Sequence, residues 1–151
     1  MKTIMAAAVF FLLTGASVSA GTDAKIISVS ENLSEVPKFE KLELTVAIEA
    51  PYTNPFDPEE VDLAAEFTGP SGKTFVMPGF YSGPDWKVRF SPDLEGEWKY
   101  VVCLKTKEGA GRTEQKSFKC AASQVRGFVK VSKADPKYFE FTDGSFYYPI
   151  G

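Results

Sequence analysis

The side chains able to do chemistry in this chain are few. Among 151 residues there are 17 Lys or Arg, 20 Asp or Glu, two Cys and no His. Without imidazole there is no Ser/His/Asp or Cys/His triad, no imidazole-ligated zinc and no imidazole base. Carboxylate chemistry remains. Glycoside hydrolysis uses one protonated and one ionised carboxyl group, about 5–5.5 Å apart for retention and about 6.5–9.5 Å for inversion. The densest acids are Asp57, Glu59 and Glu60, and Asp93, Glu95 and Glu97. Both groups fall in Pro- or Gly-flanked turns, where carboxylates are ordinarily solvated, and nothing around them implies the burial that raises one pKa. Calcium binding at 57–60 would lack the EF-hand spacing and its glycine. The expectation is solvated turn acids, with no catalytic residue, no metal site and no cofactor.

The two thiols, Cys103 and Cys120, cannot complete a four-thiolate metal site. A net charge of −3 leaves no footprint for phosphate backbones, so nucleic acid is not an expected partner. Lys2, the uncharged apolar run Ile4 to Leu13, and the small residues Ser17-Val18-Ser19-Ala20 before Gly21 have the layout of a cleaved secretory signal over residues 1–20. Ten apolar residues are too few to span a bilayer, which needs about 20. The expected location is therefore secreted or periplasmic, with no membrane attachment after cleavage. Oxidising conditions there make Cys103 and Cys120 a candidate disulfide. Two registers compete. Placing Cys103 opposite Cys120 puts Trp98, Tyr100, Val102 and Leu104 out of step with Phe118, whereas pairing Leu104 with Phe118 sends the sulfurs to opposite faces. A bulge near 101–104 would reconcile them.

Aromatic residues make up 14% of the chain, and sugars bind by stacking on aromatic faces, so a carbohydrate-contacting role has to be weighed. Trp86 and Trp98 alternate in phase with core positions and read as packing. Tyr52, Phe56, Phe80 and Tyr81 are expected in Pro/Gly-rich turns, where periodicity does not force a core role. For these four, internal packing, docking to another domain and sugar contact all stay open.

The elements that must position these groups are strands. After residue 40 apolar side chains alternate: Leu42, Leu44, Val46 and Ile48; Val61, Leu63, Ala65 and Phe67; Trp86, Val88 and Phe90; Trp98, Tyr100, Val102 and Leu104. Turn signals separate them at Pro51 to Pro58, Gly69 to Gly72, Pro78-Gly79, Gly83 to Asp85, Pro92 to Gly96 and Gly109 to Arg112. Strands are expected at 25–30, 41–49, 61–68, 73–77, 86–90, 97–105 and 114–121. This is an all-β pattern, an antiparallel sandwich of about seven strands. Asp93 to Tyr100 has the layout of a tyrosine corner entering strand F, with Trp98 at the corner and Tyr100 inward, which specifies an immunoglobulin-like sandwich over 21–124. Residues 125–151 differ. Gly127 to Val131 reads as a short strand, and Tyr138 to Phe141 with Phe146 to Tyr148 flank an Asp143-Gly144 turn, a short C-terminal β-hairpin. The chain stops at Pro149-Ile150-Gly151 straight after an aromatic strand, which reads as a linker toward a further domain.

The motifs Asn54-Pro55-Phe56-Asp57-Pro58, Phe67 to Lys73, Pro78-Gly79-Phe80-Tyr81, Trp86 to Pro92 and Gly96-Glu97-Trp98 together resemble DUF5060. That is an immunoglobulin-like domain at the N-terminus of proteins classed as secreted bacterial glycoside hydrolases. The tail resembles the hairpin leading such proteins into the first strand of a (β/α)₈ barrel. The resemblance implies a noncatalytic accessory domain that packs against and positions a downstream glycoside hydrolase barrel of the same polypeptide. The barrel's carboxylate-bearing strands are not in this chain, so hydrolysis is not carried over. An independent polysaccharide-binding module, or an extracellular structural or adhesion domain, stays open beside it.

Overall fold

The structure, a computed structural model, describes residues 24–149. The signal-peptide reading falls outside the described residues, as do Ile150 and Gly151.

The alternating stripes form strands, one face of each lining a common interior. The sandwich comprises β1 (Lys25–Glu31), β2 (Glu35–Pro37), β3 (Leu42–Glu49), β4 (Val61–Thr68), β5 (Thr74–Ser82), β6 (Asp85–Phe90), β7 (Gly96–Thr106), β8 (Ala110–Arg112) and β9 (Lys116–Ala121). One layer runs β1-β3-β6 with the second half of β5. The other runs from the first half of β5 through β4, β7 and β9 to β2, with β8 also on β7. β1 pairs antiparallel with β3, whereas β2 pairs parallel with β9, so the first stretch of chain divides itself between the layers. This is the pattern of an immunoglobulin-like sandwich. Between the layers, Phe67 of β4 stacks on Phe90 of β6 at 4.2 Å and 8°, and Phe90 contacts Trp98 of β7 at 5.0 Å. Every residue of the four stripes is buried except Ile48, which is half-buried.

The corner at the start of β7 is formed by tryptophan. The Trp98 indole Nε1 donates to the Leu94 carbonyl at 2.8 Å, and Trp98 and Tyr100 are both fully buried. Tyr100 donates its hydroxyl to Glu31 Oε1 at 2.6 Å, tying β7 to the end of β1. Burial, and then the Glu31 carboxylate, push the Tyr100 phenol well above its ordinary range.

Three expectations need correction. Pro78-Gly79 does not end a strand. β5 runs on to Ser82 and changes layer there, pairing with β4 through Pro78 and with β6 from Gly79. A Cβ on Gly79 would lie 2.8 Å from Leu63 Cδ2 and 3.0 Å from the Leu63 carbonyl, so the crossing needs the bare backbone. Residues 110–112, read as turn, form β8, and β2 carried no periodic signal. Finally, Cys103 and Cys120 are both free thiols. Trp98 pairs with Phe118, which sets Cys120 opposite Gly96 and leaves Cys103 seven positions along β7, opposite Arg112. That is about 23 Å of strand, against a Cα separation below about 7 Å for a disulfide, and the two side chains point to opposite faces.

After the sandwich come β10 (Val129–Val131), β11 (Phe139–Phe141) and β12 (Phe146–Tyr147), a three-stranded antiparallel meander. The expected hairpin is its second half. Gly127, at φ +96°, turns the chain into it at a point where a Cβ would lie 2.6 Å from Thr142 Cβ.

Candidate functional site

The 50–60 connection, the β5–β6 turn and the β7–β8 turn gather at one end of the sandwich, because β3 ends and β6 begins there. The meander joins at the opposite end, about 25 Å away along an eight-residue strand.

The 50–60 loop is held by its own side chains. Glu60 accepts hydrogen bonds from the backbone N–H of Thr53 (2.7 Å) and Asn54 (3.0 Å) and from the Thr53 hydroxyl. These donors hold its carboxyl below the usual range. Asn54 Oδ1 accepts from Phe56 N–H at 3.0 Å and Asp57 Oδ1 from Glu59 N–H at 2.9 Å, two Asx turns in succession. Asp57 and Glu60 thus act as struts of the loop. In the second cluster Glu95 pairs with Lys38 at 2.7 Å on the surface. Among the described residues no three His, Cys, Asp or Glu side chains are grouped to hold a metal ion.

On this loop Phe56 is 76% exposed. Its ring stands edge to face against Tyr81, centroids 5.9 Å apart at 88°. Tyr81 in turn meets Trp86 at 5.8 Å and 63°, and Tyr52 meets Trp86 from another side at 6.2 Å and 89°. The structure therefore brings Tyr52, Phe56 and Tyr81 together around Trp86. Phe80 is not part of that cluster. It lies on β5, one position from Tyr81, so its ring faces the other side of the sheet beneath the Arg89 guanidinium at 4.8 Å. Beside the touching Phe56 and Tyr81 rings opens a cleft of about 290 Å³, lined also by Pro55, Pro58, Asp62, Phe80 and the buried Trp86. Trp86 is buried, and its indole nitrogen has no hydrogen-bond acceptor among the described residues.

Sequence reasoning missed two features. Nothing in local spacing announces Glu60 as the strut of a loop starting seven residues earlier. Nor does periodicity show that Trp86, correctly read as core, also lines a cleft. The Asx turns at Asn54 and Asp57 were the readable signal.

The outer surface of the β3–β6 pair carries a charge cluster. Glu43 accepts from Lys87 Nζ at 2.8 Å and Arg89 Nε at 2.7 Å, with Lys41 at 3.3 Å. Those donors, opposed by partial burial, bring its pKa from 4.5 down to about 2. One carboxylate is thus shared by three cations and stays ionised at neutral pH.

The meander exposes apolar side chains on both faces. Val129, Val131 and Phe139 are exposed on one face, and Tyr138, Phe146 and Tyr148 on the other, with Phe146 6.0 Å from each tyrosine. The second face also carries the Lys130–Glu140 ion pair at 3.3 Å.

Residues 35–105 match the family model described as Domain of unknown function (DUF5060). Among curated proteins none matches the chain in sequence. Among solved structures the chain is similar to a protein from Bacteroides vulgatus described as a putative glycoside hydrolase, at 26% identity and a TM-score of 0.63. That likeness covers 79% of this chain and 22% of that one, so the present chain spans about a fifth of its relative's length. It is also similar, at 17% identity and a TM-score of 0.45, to the multi-modular cell-surface chitinase ChiW from a Paenibacillus species, over 70% of this chain and 9% of that one.

Proposed function

We propose that the chain, whose residues 35–105 match the DUF5060 family model, is the noncatalytic accessory domain of a secreted carbohydrate-active enzyme, and that it packs against and positions a catalytic (β/α)₈ barrel. The observation that carries this reading is the lopsided match to the Bacteroides protein: most of this chain corresponds to a fifth of that one. The meander supports it. Three short strands with large apolar side chains exposed on both faces do not make a stable unit in water, and apolar patches of this kind mark partner surfaces. Within the two acid clusters Asp57 and Glu60 are engaged in loop hydrogen bonds and Glu95 in a surface pair, which supports assigning hydrolysis to the partner domain. The secretory reading of residues 1–20 supports action outside the cytoplasm.

The test uses the protein encoded by the whole reading frame. Deleting residues 24–149 is expected to lower the melting midpoint of the remaining catalytic part by several degrees. An unchanged midpoint, or a frame that encodes no further domain, overturns the reading. A second reading, polysaccharide binding by this domain itself, is favoured by the exposed Phe56 on its braced loop.

A further inference from the structure

We infer that the cleft beside the Phe56–Tyr81 pair is a binding site for one sugar ring of a polysaccharide; this deepens the second reading and rests on the chain's serving a carbohydrate-active protein. Three observations carry it. The first is the cost of the loop. Glu60, Asn54 and Asp57 commit their side chains to hydrogen bonds that fix the backbone around Phe56, yet Phe56 itself stays exposed. An apolar ring held rigidly in water adds nothing to folding, but it lowers the ordering cost of any ligand that stacks on it.

The second is size. A protein partner typically needs about 800 Å² from each side. At this end of the sandwich the exposed large apolar side chains on the cleft are Phe56 and Phe80, the latter with Arg89 over its ring, which is too little for such an interface. A cleft of about 290 Å³ lies at the lower end of small-ligand sites, at roughly 300 Å³, and accommodates a single ring. The third is chemistry. A pyranose presents an apolar C–H face and a rim of hydroxyls. The Phe56 face meets the former, while the Asp62 carboxylate and the Tyr81 hydroxyl serve the latter. Trp86 in the lining keeps an indole N–H for which the described residues supply no acceptor, and a sugar hydroxyl is one. The rings flanking it, Tyr52 and Tyr81, are only half-buried, and the proposal requires one of them to rotate for a hydroxyl to reach the N–H.

Native affinity electrophoresis tests the site, with the chain run in gels cast with xylan, hydroxyethylcellulose, galactomannan or polygalacturonan. Wild type is expected to be retarded in at least one. Phe56→Ala is expected to weaken that interaction at least tenfold and Asp62→Asn several-fold, whereas Phe146→Ala on the meander leaves it intact. Phe56 is exposed enough for its removal to leave the fold unaffected, and an unchanged circular dichroism spectrum checks this. Quenching of Trp86 fluorescence by the retarding polysaccharide, lost in Trp86→Phe and kept in Phe146→Ala, is the independent readout. Retention in none of the gels, equal retention by Phe56→Ala, or loss with Phe146→Ala instead overturns the site. None of these outcomes bears on the deletion test of the accessory role, so the two can fail separately.

Discussion

The ring of Phe39 meets that of Phe128 edge to face, centroids 5.2 Å apart at 80°, and so joins the sandwich to the meander. Phe39 adopts φ 69°, a left-handed conformation unusual for a residue with a Cβ, in the turn closed by Glu40 N–H to the Pro37 carbonyl at 3.0 Å. That conformation costs about 1–2 kcal/mol and is tolerated where its surroundings fix it. Here Phe39 N–H donates to the Pro92 carbonyl at 2.8 Å. An aromatic pair contributes about 0.5–1.5 kcal/mol beyond its buried area. Phe128→Ala is therefore expected to speed amide exchange in β10 and β11 about tenfold without altering β4 or β7. Unchanged exchange in the meander would show that the contact anchors nothing.

Trp98 should be the most sensitive core position. It is fully buried, packs against Phe75, Phe90 and Phe118, and satisfies the Leu94 carbonyl. Trp98→Phe removes that hydrogen bond and leaves a cavity, for an expected loss of about 2–4 kcal/mol. Urea denaturation measures it, and a loss under about 1 kcal/mol would contradict the corner.

Glu43 gives a pH signature. Its folded-state pKa is depressed from 4.5 to about 2, so its charged form stabilises the fold above about pH 4.5 and that contribution disappears as the pH falls toward 2. Arg89 and Lys41 are more than half exposed, and solvent screening reduces the effect to about 1 kcal/mol. Glu43→Gln is expected to be less stable than wild type by that amount at pH 7, with the gap closing near pH 2. A gap that does not change with pH would exclude the ion cluster as its source.

The thiols should behave differently from each other. Burial raises both thiol pKa values, but Cys120 is enclosed whereas Cys103 lies half-buried on the outer face. Maleimide labelling of the oxidised native chain is expected to modify Cys103 slowly and Cys120 only after unfolding. A mass two daltons low before labelling, with no reaction even in denaturant, would establish a bond that this register forbids.

How much was legible can be judged from particular elements. Leu42 to Ile48 and Val61 to Phe67 alternate cleanly because each faces core on one side and water on the other, and their strands match expectation. β2 and β8 are three residues each and take their place from neighbours already formed, so no local period marks them. Pro78-Gly79 has the letters of a turn, yet packing against Leu63 makes it a crossing between layers. The cysteines were undecided because two registers satisfied different demands, and burial of Phe118 against Trp98 selects one. At the candidate site Tyr52, Phe56 and Tyr81 converge around Trp86, while Phe80, which also lines the cleft, sets its ring under Arg89 because adjacent strand residues face opposite ways.

The central claim is that this β scaffold serves a catalytic partner through the apolar meander. The direct measurement is calorimetric titration of the chain into a separately expressed catalytic barrel, the partner proposed for it. The account predicts saturable 1:1 binding, lost when Phe146 and Tyr148 are both replaced by Ser. No heat of association with the wild-type chain, or undiminished binding by the double variant, would contradict it.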